Sequence, residues 1–211
     1  MMERTYRSAL EELRSRDPAT GALKTFSLDE LLQLVDDVSG KVLSSQPGDT
    51  YLLFSGVTPN GVSGSEITGK LATFANADIY DIGSSEIGKL LTDDNFLNAL
   101  NRTIAQEELG INFTDATQNQ LNQISDIAEK ILFGKDTNGN RVDSASFWDL
   151  ASEKYVSAAE GNFKLVLPDA LSDTSVFVQS ELPALLNNTN IDEIDGVSPS
   201  GTQSLSGFTR H

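Results

Sequence analysis

Apolar residues recur at helical spacing through the N-terminal stretch. Tyr6, Leu10 and Leu13 fall on one stripe between charged positions and predict a helix over Met2 to Arg16, broken at Asp17-Pro18. Ser27-Leu28-Asp29-Glu30 has the spacing of a capping box: a hydroxyl at the N-cap and a carboxylate three residues on. It opens a predicted amphipathic helix through about Leu43, with Leu31, Leu32, Leu34, Val35, Val38 and Val42 as its apolar set. Pro47-Gly48-Asp49 reads as a turn.

Beyond that turn the texture changes. Tyr51-Leu52-Leu53-Phe54 is a short, fully apolar strand candidate that runs into Ser55-Gly56. Ser63-x-x-Glu66 repeats the capping-box spacing ahead of Ile67, Leu71 and Phe74. Ile79-Tyr80-Asp81-Ile82 predicts a second strand. Helices follow at about Ser85–Leu91, Asp93–Leu109 and Asp115–Phe133, the last stopped by Gly134. Ser144 is a candidate cap for a helix carrying Phe147, Trp148, Ala151, Tyr155 and Ala158 and ended by Gly161. Phe163–Leu167 and Val176–Val178 are strand candidates, and Ile191–Ile194 is a weaker one. Strands and helices alternate too irregularly for a doubly wound sheet. The predicted class is α+β, mostly helical, with N-terminal helices packed on a small, short-stranded sheet. The organisation expected is an N-terminal helical segment over 1–48, a catalytic domain over 49–196 and a flexible Ser/Gly/Thr-rich tail over 197–211.

Composition narrows the chemistry. The chain has no cysteine, and its one histidine is the last residue, His211. Disulfides, thiolate nucleophiles and cysteine-ligated metals are excluded, and a Ser-His-Asp triad is nearly so. The remaining tools are carboxylates, hydroxyls, aromatic rings and backbone groups. With 31 acidic against 15 basic residues, the formal charge is −16. Such a surface repels nucleic-acid phosphates and anionic lipids and suits a basic partner, although it also serves plain solubility. The charged N-terminus lacks the apolar core of a signal peptide, and no apolar run reaches the length of a membrane span. Asp136-x-Asn138-x-Asn140 begins like a calcium loop. It has Arg141 and Phe147 where such a loop needs glycine and an acid, so no metal site is expected.

Three segments can carry chemistry. The first is the strand end Phe54-Ser55-Gly56, which delivers a hydroxyl and free backbone N–H groups. The second is the helix bearing Trp148, the only tryptophan. Its spacing fits a core residue as well as a flat wall for a cationic heterocycle. The third is Ser175-Val-Phe177-Val-Gln-Ser-Glu181-Leu-Pro-Ala-Leu185. Glu181 there follows an apolar strand, a costly place for a carboxylate unless it is paired or functional; the alternative is an exposed glutamate capping the next turn.

Read together, these segments resemble the ADP-ribosyl cyclase family. The similarity is to the cysteine-free version at the C-termini of bacterial polymorphic and contact-dependent toxins. It runs from about Tyr51 to Ile194 and is carried by Phe54-Ser55-Gly56, Trp148-Asp149-Leu150-Ala151-Ser152, and Phe177 with Glu181-Leu182-Pro183-Ala184-Leu185. The resemblance implies hydrolysis of NAD⁺ or NADP⁺ to nicotinamide and ADP-ribose. NAD(P)⁺ is then a substrate, and no cofactor is required. It implies that Glu181 is the carboxylate that stabilises the ribosyl cation, that Trp148 is the nicotinamide-stacking wall, and that Phe54 stands where animal members carry a second tryptophan. Ser55, Gly56, Ser175 and Phe177 fall where the family holds phosphate and ribose. The family's second acid, in a Thr-Leu-Glu stretch, is matched here by Asp81 of Ile79-Tyr80-Asp81, with Glu86 as the alternative.

The expected function is therefore an NAD(P)⁺ glycohydrolase, an antibacterial toxin or effector domain acting in the cytoplasm of a recipient cell. A cognate immunity protein is the implied partner; nucleic acid and membrane are not. The alternatives are a non-catalytic acidic interaction module and a true cyclase making cyclic ADP-ribose.

Overall fold

In a computed structural model of the chain, the residues described are 4–45, 49–54, 79–136, 146–166, 180–197 and 208–209. They divide into two compact units: Met1–Ser39 with Glu86–Ala151, and Gly40–Ser85 with Ser152–His211.

The first unit is helical. Helix α1 (Tyr6–Leu13) starts at Thr5, whose hydroxyl accepts from Ser8 N–H. Helix α2 (Leu28–Asp37) begins with the predicted reciprocal box between Ser27 and Glu30. It ends at Asp37 and not near Leu43. Val38 is extended (φ −79°, ψ 140°) and pairs with Arg4, with Arg4 N donating to Asp37 O at 2.8 Å and Ser39 N to Arg4 O at 3.2 Å. A partner distant in sequence thus overrides a periodicity that continued. Helices α3 (Glu86–Leu91), α4 (Asp94–Glu107) and α5 (Gln118–Phe133) follow. Helix α5 is stopped as expected by Gly134, in the left-handed region at φ 63°. Leu10, Leu13, Leu31, Val35, Ile87, Leu90, Phe96, Leu100 and Ile104 form its buried interior.

One polar junction fastens α1 to α4. The Tyr6 hydroxyl donates to Asp93 Oδ2 at 2.6 Å, while Asp93 Oδ1 caps α4 through Asn95 N–H at 2.8 Å. Burial alone would raise the Asp93 pKa, but the bonds from Tyr6 and Asn95 outweigh it and hold the carboxyl below its usual range. A depressed folded-state pKa means stability that is present above the ordinary carboxylate pKa. It is lost as pH falls through the lower folded value. Urea titrations across the acid range should therefore give a shallower acid loss for Asp93→Asn than for the parent, with the two curves converging at low pH.

The second unit holds one five-stranded sheet, ordered β2-β1-β3-β4-β5. Its strands are β1 (Thr50–Phe54), β2 (Ile79–Tyr80), β3 (Gly161–Val166), β4 (Ile191–Val197) and β5 (Phe208–Thr209). The first three pairings are parallel, and only β4–β5 is antiparallel. Strand β4, the weakest of the predicted strands, is the longest and sits inside the sheet. Its IDEIDGV sequence has poor intrinsic strand propensity. Pairing with β3 and burial of Ile191 and Ile194 decide it instead. Strand β5 lies in the segment expected as a flexible tail.

Helix α6 (Phe147–Ala158), whose residues through Ala151 belong to the first unit, runs up to β3, and α7 (Leu182–Asn187) lies on the crossover from β3 to β4. Helix α6 is capped by Ser146, not by Ser144. Ser146 Oγ accepts from Asp149 N–H at 3.2 Å, and Asp149 Oδ2 accepts from Ser146 N–H at 2.9 Å. The core of this unit gathers Tyr51, Tyr155, Val156, Phe163, Leu165, Leu185, Ile191 and Ile194. Asn188 seals the exit of α6 by donating from Nδ2 to Val156 O at 2.7 Å and Ala159 O at 2.9 Å. The fold class is the expected one: a mostly helical chain with, among the described residues, a single small sheet of short strands.

Candidate functional site

The candidate acids Glu181 and Asp81 both lie in the second unit. Glu181 stands at the head of α7 in helical conformation (φ −73°, ψ −45°). Pro183 occupies the first turn of that helix, where a missing N–H costs nothing. The Glu181 side chain makes no cap hydrogen bond and is only 6% exposed. The alternative of a solvated, helix-capping glutamate therefore does not describe it. A carboxylate so deeply covered carries a desolvation cost that a surface residue would not.

Asp81 follows β2 directly. It caps the short 3-10 turn Ile82–Ser84, its Oδ1 accepting from Ser84 N–H and Ser84 Oγ, each at 3.1 Å. Its residue is half-buried.

Tyr155 relates the two. It is fully buried, with ring neighbours Tyr51 at 5.9 Å and Phe163 at 6.0 Å. Its hydroxyl donates to Tyr80 O at 2.7 Å, the carbonyl just before Asp81, and lies 3.4 Å from Leu52 O. Burial pushes the phenol pKa well above its ordinary value, and the charges of Asp81, Tyr51 and Glu181 push it the same way. Both candidate carboxylates therefore oppose ionisation of one buried hydroxyl. Tyr155 entered the sequence reading only as a position on an apolar helical stripe. The available signal was its hydroxyl, on a stripe otherwise made of Phe147, Trp148, Ala151 and Ala158.

The raised Tyr155 pKa has a stability consequence. A group whose folded pKa exceeds its unfolded value stabilises the fold fully below the unfolded value, near 10 for tyrosine, and loses that contribution as pH rises through the folded value. Tyr155→Phe should cost about 1 kcal/mol at neutral pH through the lost hydrogen bond. The variant should also resist alkaline unfolding better than the parent. Denaturant melts with tyrosinate absorbance above pH 10 check this.

Glu86, the alternative second acid, lies in the first unit. It is 5% exposed, and its Oε2 accepts the backbone N–H of Tyr6, an otherwise open donor in the first turn of α1. That carboxylate holds a helix end, as Asp81 holds the short turn after β2.

Trp148 belongs to the first unit. It is half-buried in the opening turn of α6 and stacks on Phe133, with ring centroids 6.1 Å apart and planes 9° from parallel. Phe54 is the last residue of β1, in register with Val166 of β3. Ser55, Gly56, Ser175 and Phe177 lie outside the described residues, as does most of the Asp136-x-Asn138-x-Asn140 segment.

A cleft of about 470 Å³ opens in the second unit beside the chain at Glu181, walled by Ser180, Pro183, Ala184, Asn187, Asn188 and Thr189 with Glu153 and Ser157 of α6. Among the described residues, no helix is long and apolar enough to cross a membrane.

No family model matches the chain, and no curated protein does. Among solved structures, the chain is similar to apo porcine CD38 at 13% identity and a TM-score of 0.40, over 92% of this chain and 67% of that one. It is similar to an ADP ribosyl cyclase complexed with N1-cIDPR at 15% identity and a TM-score of 0.43, over 92% of this chain and 63% of that one. It is also similar to Aplysia cyclase complexed with substrate NGD and product cGDPR, at 14% identity and a TM-score of 0.41, over 92% and 62%. The chain thus spans slightly under two thirds of the length of the two cyclases that it matches.

Proposed function

We propose that this chain is an NAD(P)⁺ glycohydrolase in which Glu181 is the central carboxylate. The observation that carries the reading is the burial of Glu181, 6% exposed at the head of a helix it does not cap. A buried carboxylate in this position is a candidate to serve a developing positive charge.

The chemistry suits the residues present. The nicotinamide of NAD⁺ is a cationic leaving group that departs as a neutral ring without needing a proton. Breaking its bond to ribose leaves an oxocarbenium-like sugar, as at other glycosidic bonds. Glu181 supplies the fixed negative charge beneath that cation. Asp81, anchored by Ser84, is the second acid. Trp148 is the flat wall that orients the departing ring, and Phe54, Ser55, Gly56, Ser175 and Phe177 complete the ribose and phosphate contacts. Water then captures the cation to give ADP-ribose. None of these steps needs a thiol, which the chain lacks, or an imidazole, of which it has only that of His211.

The same reading makes the chain an antibacterial toxin or effector domain, neutralised by an immunity protein. The net charge of −16 favours a basic face on that partner.

Incubation with NAD⁺ or NADP⁺ followed by chromatography tests the reaction: nicotinamide and ADP-ribose should appear together. Nicotinamide with cyclic ADP-ribose would make the chain a cyclase. No nicotinamide from either substrate rejects the proposal. The cellular role is tested by expression inside a bacterium, where the parent chain should deplete NAD⁺ and arrest growth.

A further inference from the structure

Phe147 and Trp148 are neighbours on α6, so their side chains diverge by about 100° around the helix. Phe147 is 5% exposed and packs on Phe96, with centroids 5.9 Å apart. Trp148 is turned away from that interior. Its one ring contact among the described residues is Phe133, in a near-parallel stack. Phe133 is itself 40% exposed. It is the last residue of α5, and the helix closes immediately after it: Gly134 turns left-handed and its N–H returns to Lys130 O at 2.8 Å. The start of α6 is fixed as firmly by the Ser146–Asp149 box. Two closed helix ends therefore hold two half-exposed rings parallel. The centroid distance is that of an offset stack and not of a full sandwich.

We propose that Phe133 is a positioning residue for Trp148, setting the plane of the indole against which a planar, cationic ring of the substrate stacks. The inference rests on the glycohydrolase reading above for the identity of that ring. An indole free to rotate would have to be ordered when ligand binds, and that ordering weakens binding. Phe133 imposes the order beforehand.

Trp148 is the only tryptophan, so its fluorescence reports this ring alone. NAD⁺ is titrated into the non-turning Glu181→Gln chain, with and without Phe133→Ala and Phe133→Tyr, following quenching of Trp148. Indole anisotropy and acrylamide accessibility are measured without ligand. Phe133→Ala should lower the anisotropy, raise the accessibility and weaken NAD⁺ binding about tenfold, a change of the size that stacking pairs carry. Phe133→Tyr, which keeps the aromatic face, should restore all three. The melting temperature should hardly move, because Phe133 is 40% exposed. Unchanged affinity and anisotropy in Phe133→Ala, with quenching intact in the parent, overturns the role of Phe133 and leaves the glycohydrolase reading standing. No quenching by NAD⁺ in any chain overturns the Phe133 role as stated, and absence of nicotinamide release by the parent then marks the glycohydrolase reading as the cause.

Discussion

Glu181→Gln should abolish nicotinamide release almost entirely while leaving the protein folded and able to bind NAD⁺. The substitution keeps the shape of the side chain and removes its charge. In the ground state the positive charge sits on the nicotinamide ring, and it moves onto the ribose as the bond stretches. A carboxylate below that sugar therefore strengthens its interaction in the transition state more than in the bound substrate. Its removal should appear in kcat and not in KM. The expected loss is on the order of 10³-fold, or about 4 kcal/mol of transition-state stabilisation. Melting temperatures of parent and variant separate two roles: a catalytic carboxylate loses kcat with the fold intact, whereas a structural one loses both. Full activity in Glu181→Gln would move the catalytic role to Asp81 or elsewhere.

Gly40→Ala should be the most destabilising added methyl among the described glycines of the second unit. A Cβ at position 40 would lie 2.1 Å from the Lys154 carbonyl oxygen, 2.2 Å from its carbon and 2.7 Å from Tyr155 N. These are backbone atoms in the middle of α6, so no side-chain rotation relieves the clash, and either the chain or the helix must move. We expect a loss of roughly 3–5 kcal/mol, at the upper end of what single substitutions cost. The shift should also disturb the Tyr155 hydroxyl and the β2 carbonyl it holds. Gly110→Ala is the control. A Cβ there meets nothing within 4 Å but sits at φ 63°, so it should cost only about 1–2 kcal/mol of left-handed strain. Denaturant melts of the two variants, with near-ultraviolet circular dichroism on the Tyr51–Tyr155–Phe163 cluster, decide the comparison. Equal costs would mean that the close approach of Gly40 to α6 is not tight in solution.

The local grammar of the chain was open to reading in the sequence. The Ser27–Glu30 capping box, the Gly134 stop, the β1 strand and the helical stripes of α4 and α5 all depend on groups within a few residues of one another. Nearby residue types therefore determine them. So did the choice of chemistry, because a chain without cysteine and with a lone terminal histidine has little but carboxylates to work with. The carboxylate at 181 stood out because an apolar surrounding is itself a local property.

What the tertiary structure decided depends on partners far apart in the chain. Helix α2 stops at Asp37, where Val38 turns extended and pairs with Arg4, 34 positions away. Strand β4 exists because β3 lies beside it, against the propensity of Asp192, Glu193 and Asp195. Glu86, the alternative to Asp81 in the sequence, accepts the N–H of Tyr6, 80 positions away. Tyr155 read as one more core ring until its hydroxyl was found on Tyr80 O, 75 positions away, within electrostatic reach of two acids. Periodicity and capping report the free energy of a segment with itself. Burial of a charge, the end of a helix against a remote strand and the company a hydroxyl keeps belong to the packed chain, so they are fixed only when it folds.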